Sequence, residues 1–236
     1  MRKIVAVGMT AALALTLVGC SGGGGSSDGG ADGADAKTEA PAPKENKLTL
    51  VESGYTITDS GYVMYGVVLK NEGDQTIRFP TIKVTGRDDA GNVVSSDEQK
   101  LNVIAPGETS TWGGQAGNGT TPATVEFEVS TDEDDWYDPT EAMPTFEVSG
   151  ASAQDSGYGI VHFVGEVTNT SDVDASSVCL TVILRDESGA IVGGYSGYVS
   201  DLAAGATTSF DITGYSVPAY ATLEATGKNW GVEGLF

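Results

Sequence analysis

The stretch Arg87-Asp88-Asp89-Ala90-Gly91-Asn92-Val93-Val94, RDDAGNVV, returns almost unchanged as RDESGAIV from Arg185 to Val192. In both, Asp stands second, Gly fifth, and a β-branched pair closes the segment. That pattern reads as a hairpin turn between strands. An Asp carboxylate accepts from backbone N–H groups just ahead of it, and Gly91 or Gly189 takes the positive φ that reverses the chain. On this reading the stretch occurs twice because the same hairpin is built twice.

Working outward, an offset of 98 residues aligns Asn71 with Asn169, Asp74 with Asp172, Val84 with Val182, and Arg87-Asp88 with Arg185-Asp186. It continues without a gap to pair Gly91 with Gly189, Val94 with Val192, Ala105 with Ala203, Gly107 with Gly205 and Thr109 with Thr207. It ends by pairing Ala123-Thr124-x-Glu126 with Ala221-Thr222-x-Glu224. An unbroken register over this distance predicts two copies of one unit.

Each copy reads as the same series of strands. One around Tyr62 to Lys70, or Tyr158 to Thr168, runs into the polar turn NEGDQ or NTSDV. The next alternates apolar positions, Ile82 and Val84 in the first copy and Leu180, Val182 and Leu184 in the second, and leads into the repeated hairpin. A second turn, APGE or AAGA, precedes a strand carrying Trp112 or Phe210, and a last strand follows at Ala123 to Val129 or Ala221 to Thr226. With 33 glycines and no helical periodicity beyond the N-terminus, the expectation is all-β. Six or seven short strands per copy at this spacing predict a β-sandwich.

Val182-Ile183-Leu184-Arg185-Asp186 and Val84-Thr85-Gly86-Arg87-Asp88, each followed by a Gly, a β-branched pair and a PGE-like turn, resemble the motif of the FxLYD family of bacterial extracytoplasmic Ig-like domains. The likeness is fullest from Gly165 to Ile212; Val stands for Phe, Arg for Tyr and, in the first copy, Gly86 for Leu. What the resemblance implies is a surface module of Ig-like fold without known enzymatic activity, and it carries over no functional residues.

The N-terminus gives an address. Arg2 and Lys3 precede an uncharged run from Ile4 to Val18, too short for a comfortable membrane span, which reads as an export signal. Leu17-Val18-Gly19-Cys20 follows and resembles the lipobox of bacterial lipoproteins, with cleavage between Gly19 and Cys20. The Cys20 thiol is a suitable nucleophile for a diacylglyceryl group. Two or three acyl chains, at about 0.8 kcal/mol per buried methylene, hold a protein on a membrane. From Ser21 to Asn46 the composition falls to Gly, Ser, Ala, Asp and Pro, a flexible tether with a root-mean-square reach of about 28 Å.

Thirty-three Asp and Glu oppose twelve Lys and Arg, a net charge of −21 that the loss of Arg2 and Lys3 makes two units more negative. Such a chain repels phosphate backbones, so nucleic acid is not an expected partner. After lipidation Cys179 is the one remaining thiol, which excludes an internal disulfide; strand parity sets it with Thr181 and Ile183, opposite Leu180 and Val182, as a half-buried, inert residue. His162, the only histidine, stands in the strand-like GIVHFVGEV with no nucleophile motif beside it, and reads as structural. TDEDDWYDPTE, Thr131 to Glu141, has a carboxylate density suited to calcium but lacks an EF-hand spacing, and reads as a solvated connector holding the copies apart. Tyr195, Tyr198 and Tyr215, each near Gly, suit either a stacking platform for glycan or peptide, or core filling.

The organisation expected is therefore a lipoprotein signal peptide over 1–19, a lipidated Cys and linker over 20–46, a first Ig-like sandwich over 47–130, an acidic interdomain hinge over 131–143 and a second sandwich over 144–236. Arg87, Asp88, Gly91, Arg185, Asp186 and Gly189 are expected as turn residues. No catalytic residue, metal or cofactor is expected. The functional expectation is a noncatalytic extracytoplasmic protein, anchored to a bacterial membrane through Cys20, that binds a surface protein or glycan or acts as an envelope spacer. A carboxylate-dependent hydrolase of cell-wall polymers is the alternative, since paired acids need neither His nor metal. A ligand carrier for a transporter would need an interdomain cleft that a short acidic hinge does not suggest.

Overall fold

In the computed structural model the described residues are 46–139 and 142–231. The export signal, Gly19, Cys20 and nearly all of the tether lie outside them. The first copy contains β1 (Leu48–Ile57), β2 (Val63–Asn71), β3 (Thr76–Ile77), β4 (Thr81–Arg87), β5 (Val93–Lys100), β6 (Thr109–Ala116) and β7 (Thr124–Ser130). A 3-10 turn at Glu133–Asp135 and β8 (Trp136–Tyr137) follow. The second copy contains β9 (Phe146–Gly157), β10 (Ile160–Asn169), β11 (Ala175–Arg185), β12 (Ile191–Leu202), β13 (Thr207–Tyr215) and β14 (Thr222–Asn229). The chain is all-β, and each pairing between named strands is antiparallel.

The copies share one strand order. Sheets β1-β2-β6 and β5-β4-β7 in the first copy correspond to β9-β10-β13 and β12-β11-β14 in the second. Each pair closes on a core. Val63, Tyr65, Val67, Leu69, Ile82 and Val84 are buried together in the first, and Phe163, Val167, Val178, Leu180, Val182 and Leu184 in the second. Even the irregularities repeat: a β-bulge falls between Gly86 and Arg87 and again between Leu184 and Arg185, at the first residue of the repeated octapeptide.

The strands that decide the assembly are β2 and β11. Nearly every residue of VMYGVVL and VCLTVIL is buried, on both faces of each strand, as happens when a sheet is covered on both sides. The second cover is the other copy. Met64 reaches the second core and Cys179 the first. The approach is close because the facing surfaces are glycine: a methyl group at Gly113 would sit less than 3.0 Å from the backbone of Gly194 and Tyr195, and one at Gly54 equally close to Ile191. All of this lies within one compact unit.

The acidic segment does not hold the copies apart. β8 pairs with β3, the Asp135 and Asp134 carbonyls accept from the backbone N–H and Nε of Arg78, and the Asp135 carboxylate accepts from Asp132 N–H at 2.8 Å. Segment Thr131–Asp138 is thus fastened to the first copy. Repulsion among its exposed carboxylates is screened by water, whereas apolar burial along two sheet faces is not.

Candidate functional site

In each copy the repeated turn is closed by the carboxylate of its Asp. Asp88 Oδ1 accepts from Ala90 N–H at 2.9 Å and Asn92 N–H at 2.8 Å, and Asp186 Oδ1 from Ser188 and Ala190 N–H at 2.8 and 3.1 Å. Those hydrogen bonds hold the exposed Asp88 carboxyl below its ordinary pKa, the Asn92 side chain contributing most. Gly91 and Gly189 take φ of 84° and 83°. The guanidinium of Arg87 donates to Gly91 O at 3.1 Å, and that of Arg185 to Gly189 O at 2.8 Å. These six residues therefore serve the fold.

Arg185 does more than its counterpart. Arg87 pairs with Glu126 within its own copy, and Arg185 pairs with the corresponding Glu224 at 3.4 Å. Arg185 also clasps Glu52 of the first copy with two parallel bonds of 2.6 and 3.0 Å. Lys228 and Glu108 form a second ion pair between the copies. Between these lies a hydroxyl network: Thr181 Oγ1 donates to Thr111 O at 3.3 Å and meets Ser196 Oγ at 3.0 Å, while Ser196 Oγ accepts from Gly113 N–H at 3.2 Å.

Beside this seam opens a groove of about 340 Å³ lined by both copies. From the first copy come Met64, Gln99 and the β6 segment Trp112–Gln115; from the second come Tyr195, Ser196, Tyr198, Thr213 and Tyr215. The structure thus gathers the three tyrosines named from the sequence and divides their roles. Tyr195 is a core residue, packed on Phe163 with ring centroids 5.2 Å apart, and its hydroxyl donates to Tyr215 O at 3.0 Å. Tyr198 and Tyr215 are 52% and 59% exposed and flank the opening. The Tyr198 ring is fixed edge-on against Trp230 at 5.0 Å. Tyr158, fully exposed at the β9–β10 tip with φ of 56°, stands outside this lining.

Gln99, Gln115, Ser196 and Thr213 went unremarked in the sequence. Only the pairing of strands far apart in the chain brings them together, and no local pattern signals it. Cys179 is buried, its thiol pushed up to about 12 by desolvation, so it stays protonated and unreactive. His162 Nδ1 lies 2.8 Å from Asp211 Oδ1 on the partly exposed face of β10 and β13. Among the described residues no group of three His, Cys, Asp or Glu side chains is placed to hold a metal ion.

No family model matches the chain, and no curated protein matches it either.

Proposed function

We propose that this chain is a noncatalytic extracytoplasmic protein, held to a bacterial membrane through lipidated Cys20, whose two Ig-like sandwiches of FxLYD type bind an envelope partner as one rigid body. The groove carries this reading, because it is concave, is built jointly by both copies, and sets exposed aromatic rings beside amide and hydroxyl groups. Pockets that bind ligands combine these features, with apolar walls for affinity and a few polar groups for orientation. Fusion of the copies supports it too, since a preformed groove loses little conformational entropy on binding. The uncharged run before Leu17-Val18-Gly19-Cys20 supports the anchor.

Metabolic labelling with an acyl-chain analogue tests the anchor: the wild type takes the label and Cys20→Ala does not, and equal labelling of both contradicts it. A photocrosslinking residue at Gln115, in cells that make the protein, tests the groove. The expected result is a discrete adduct that is missing when the same residue replaces Asp89, on the exposed turn between β4 and β5. Equal yields at the two positions contradict binding at the seam.

A further inference from the structure

We propose that the seam groove is a subsite for a neutral oligosaccharide, an assignment that rests on the seam being the binding face. Three observations lead to it. First, none of the eleven lining residues carries a charge, in a chain where 19% of residues are charged and the net charge is −21. A polyanion is repelled by such a protein, and a cation finds no carboxylate in the groove to meet it.

Second, Tyr198 and Tyr215 are two of only five large hydrophobic side chains that are exposed among the described residues. A pyranose ring has a face of C–H groups that packs on an aromatic ring, and the Tyr198 ring is held in place by Trp230 before any ligand arrives. The hydroxyls around a sugar ring both donate and accept, as do the amides of Gln99 and Gln115 and the hydroxyl of Thr213.

Third, part of the β6 edge is already taken from the main competing ligand. An extended peptide adds to a sheet through free backbone groups on a strand edge. Along β6 the carbonyl of Thr111 is taken by Thr181 and the N–H of Gly113 by Ser196. Two of the backbone groups that an added strand would need are thus bonded to the other copy, while the Gln115 amide stands in the groove lining for a ligand recognised through hydroxyls.

The test uses the purified full-length chain in detergent, titrated with neutral hexasaccharides of glucose, mannose, galactose and N-acetylglucosamine, with hexagalacturonate as the anionic control. Calorimetry reads affinity, and indole fluorescence reads the neighbourhood of Trp230. Binding of at least one neutral hexasaccharide is expected, and not of hexagalacturonate. Tyr198→Ala should weaken it by about tenfold, while Tyr198→Phe, which keeps the ring, retains it; a cooperative thermal transition in each variant shows that it is folded. Binding that Tyr198→Ala and Tyr215→Ala both leave unchanged overturns the assignment. If no neutral hexasaccharide binds while the Gln115 photocrosslinker captures a polypeptide, the sugar is wrong and the seam reading stands. If neither occurs, both fall.

Discussion

Asn71 and Asn169 are fully buried, and each ties a polar turn to a distant loop by the same three bonds. The Asn71 amide donates to Gln75 O and Ile104 O and its oxygen accepts from Gly73 N–H; that of Asn169 donates to Val173 O and Leu202 O and accepts from Ser171 N–H. Replacing either by Ala strands buried donors and acceptors. Asn71→Ala and Asn169→Ala should each lower unfolding free energy by about 2 kcal/mol in urea denaturation, and a value near zero for either would deny the network its role. Cys179 gives a prediction in pH. Its thiol is raised from the ordinary 9.0 to about 12 by burial, and Tyr65, also raised by burial, reaches about 12. Above the ordinary value the unfolded thiol ionises and the folded one does not, so the unfolded state holds fewer protons and stability falls as pH rises, until the folded group titrates. The fall in thermal midpoint between about pH 8 and about pH 10.5 should be shallower in Cys179→Ala than in the wild type, and equal slopes would contradict the burial. At this scale the sequence was informative wherever one residue acts on its neighbours, as Asp88 and Gly91 do. It aligned Asn71 with Asn169 but not their role, which depends on carbonyls 33 residues away.

Strands β2 and β11 show how a pattern can signal burial without naming the cover. Their near-continuous apolar runs exceed the alternation that one sandwich core requires, and the excess lies against the other copy. The repeated hairpin and the strands around it, β2, β4, β6 and β7 with their counterparts β10, β11, β13 and β14, followed from periodicity and the 98-residue offset, whereas β1 and β9 and the sheet order did not. The seam did not, because Gly113 and Gly194 look like ordinary strand glycines until they are found facing one another. Their contact leaves no room for a methyl group. Gly113→Ala should therefore cost about 3 kcal/mol of stability through overpacking. Gly91→Ala, at a positive φ but with open space around it, should cost only about 1 kcal/mol through backbone strain. Urea denaturation of the two variants checks the order, and a Gly113→Ala protein as stable as Gly91→Ala would mean that the sheets are not held in contact. The acidic segment misled for a related reason: its charge suggested a solvated connector, while its backbone carbonyls and the β8–β3 pairing fasten it in place.

At the scale of the molecule, two copies of one topology behave as a single body because each supplies the outer cover of the other's inner sheet. Glycine contact brings the sheets together, Met64 and Cys179 cross between cores, and the Arg185–Glu52 and Lys228–Glu108 pairs clasp the margins. The groove exists only because of that union, so the functional proposal depends on it. Little of the groove was legible beforehand: Tyr195, Tyr198 and Tyr215 could be named, but their convergence with Gln99 and Gln115 is a product of tertiary packing. Differential scanning calorimetry of the purified protein tests the union most directly. A single transition is predicted, with calorimetric and van't Hoff enthalpies equal, since unfolding one copy exposes the inner sheet of the other. Two separable transitions, each carrying about half of the total enthalpy, would contradict it and return the chain to two independent sandwiches on a string.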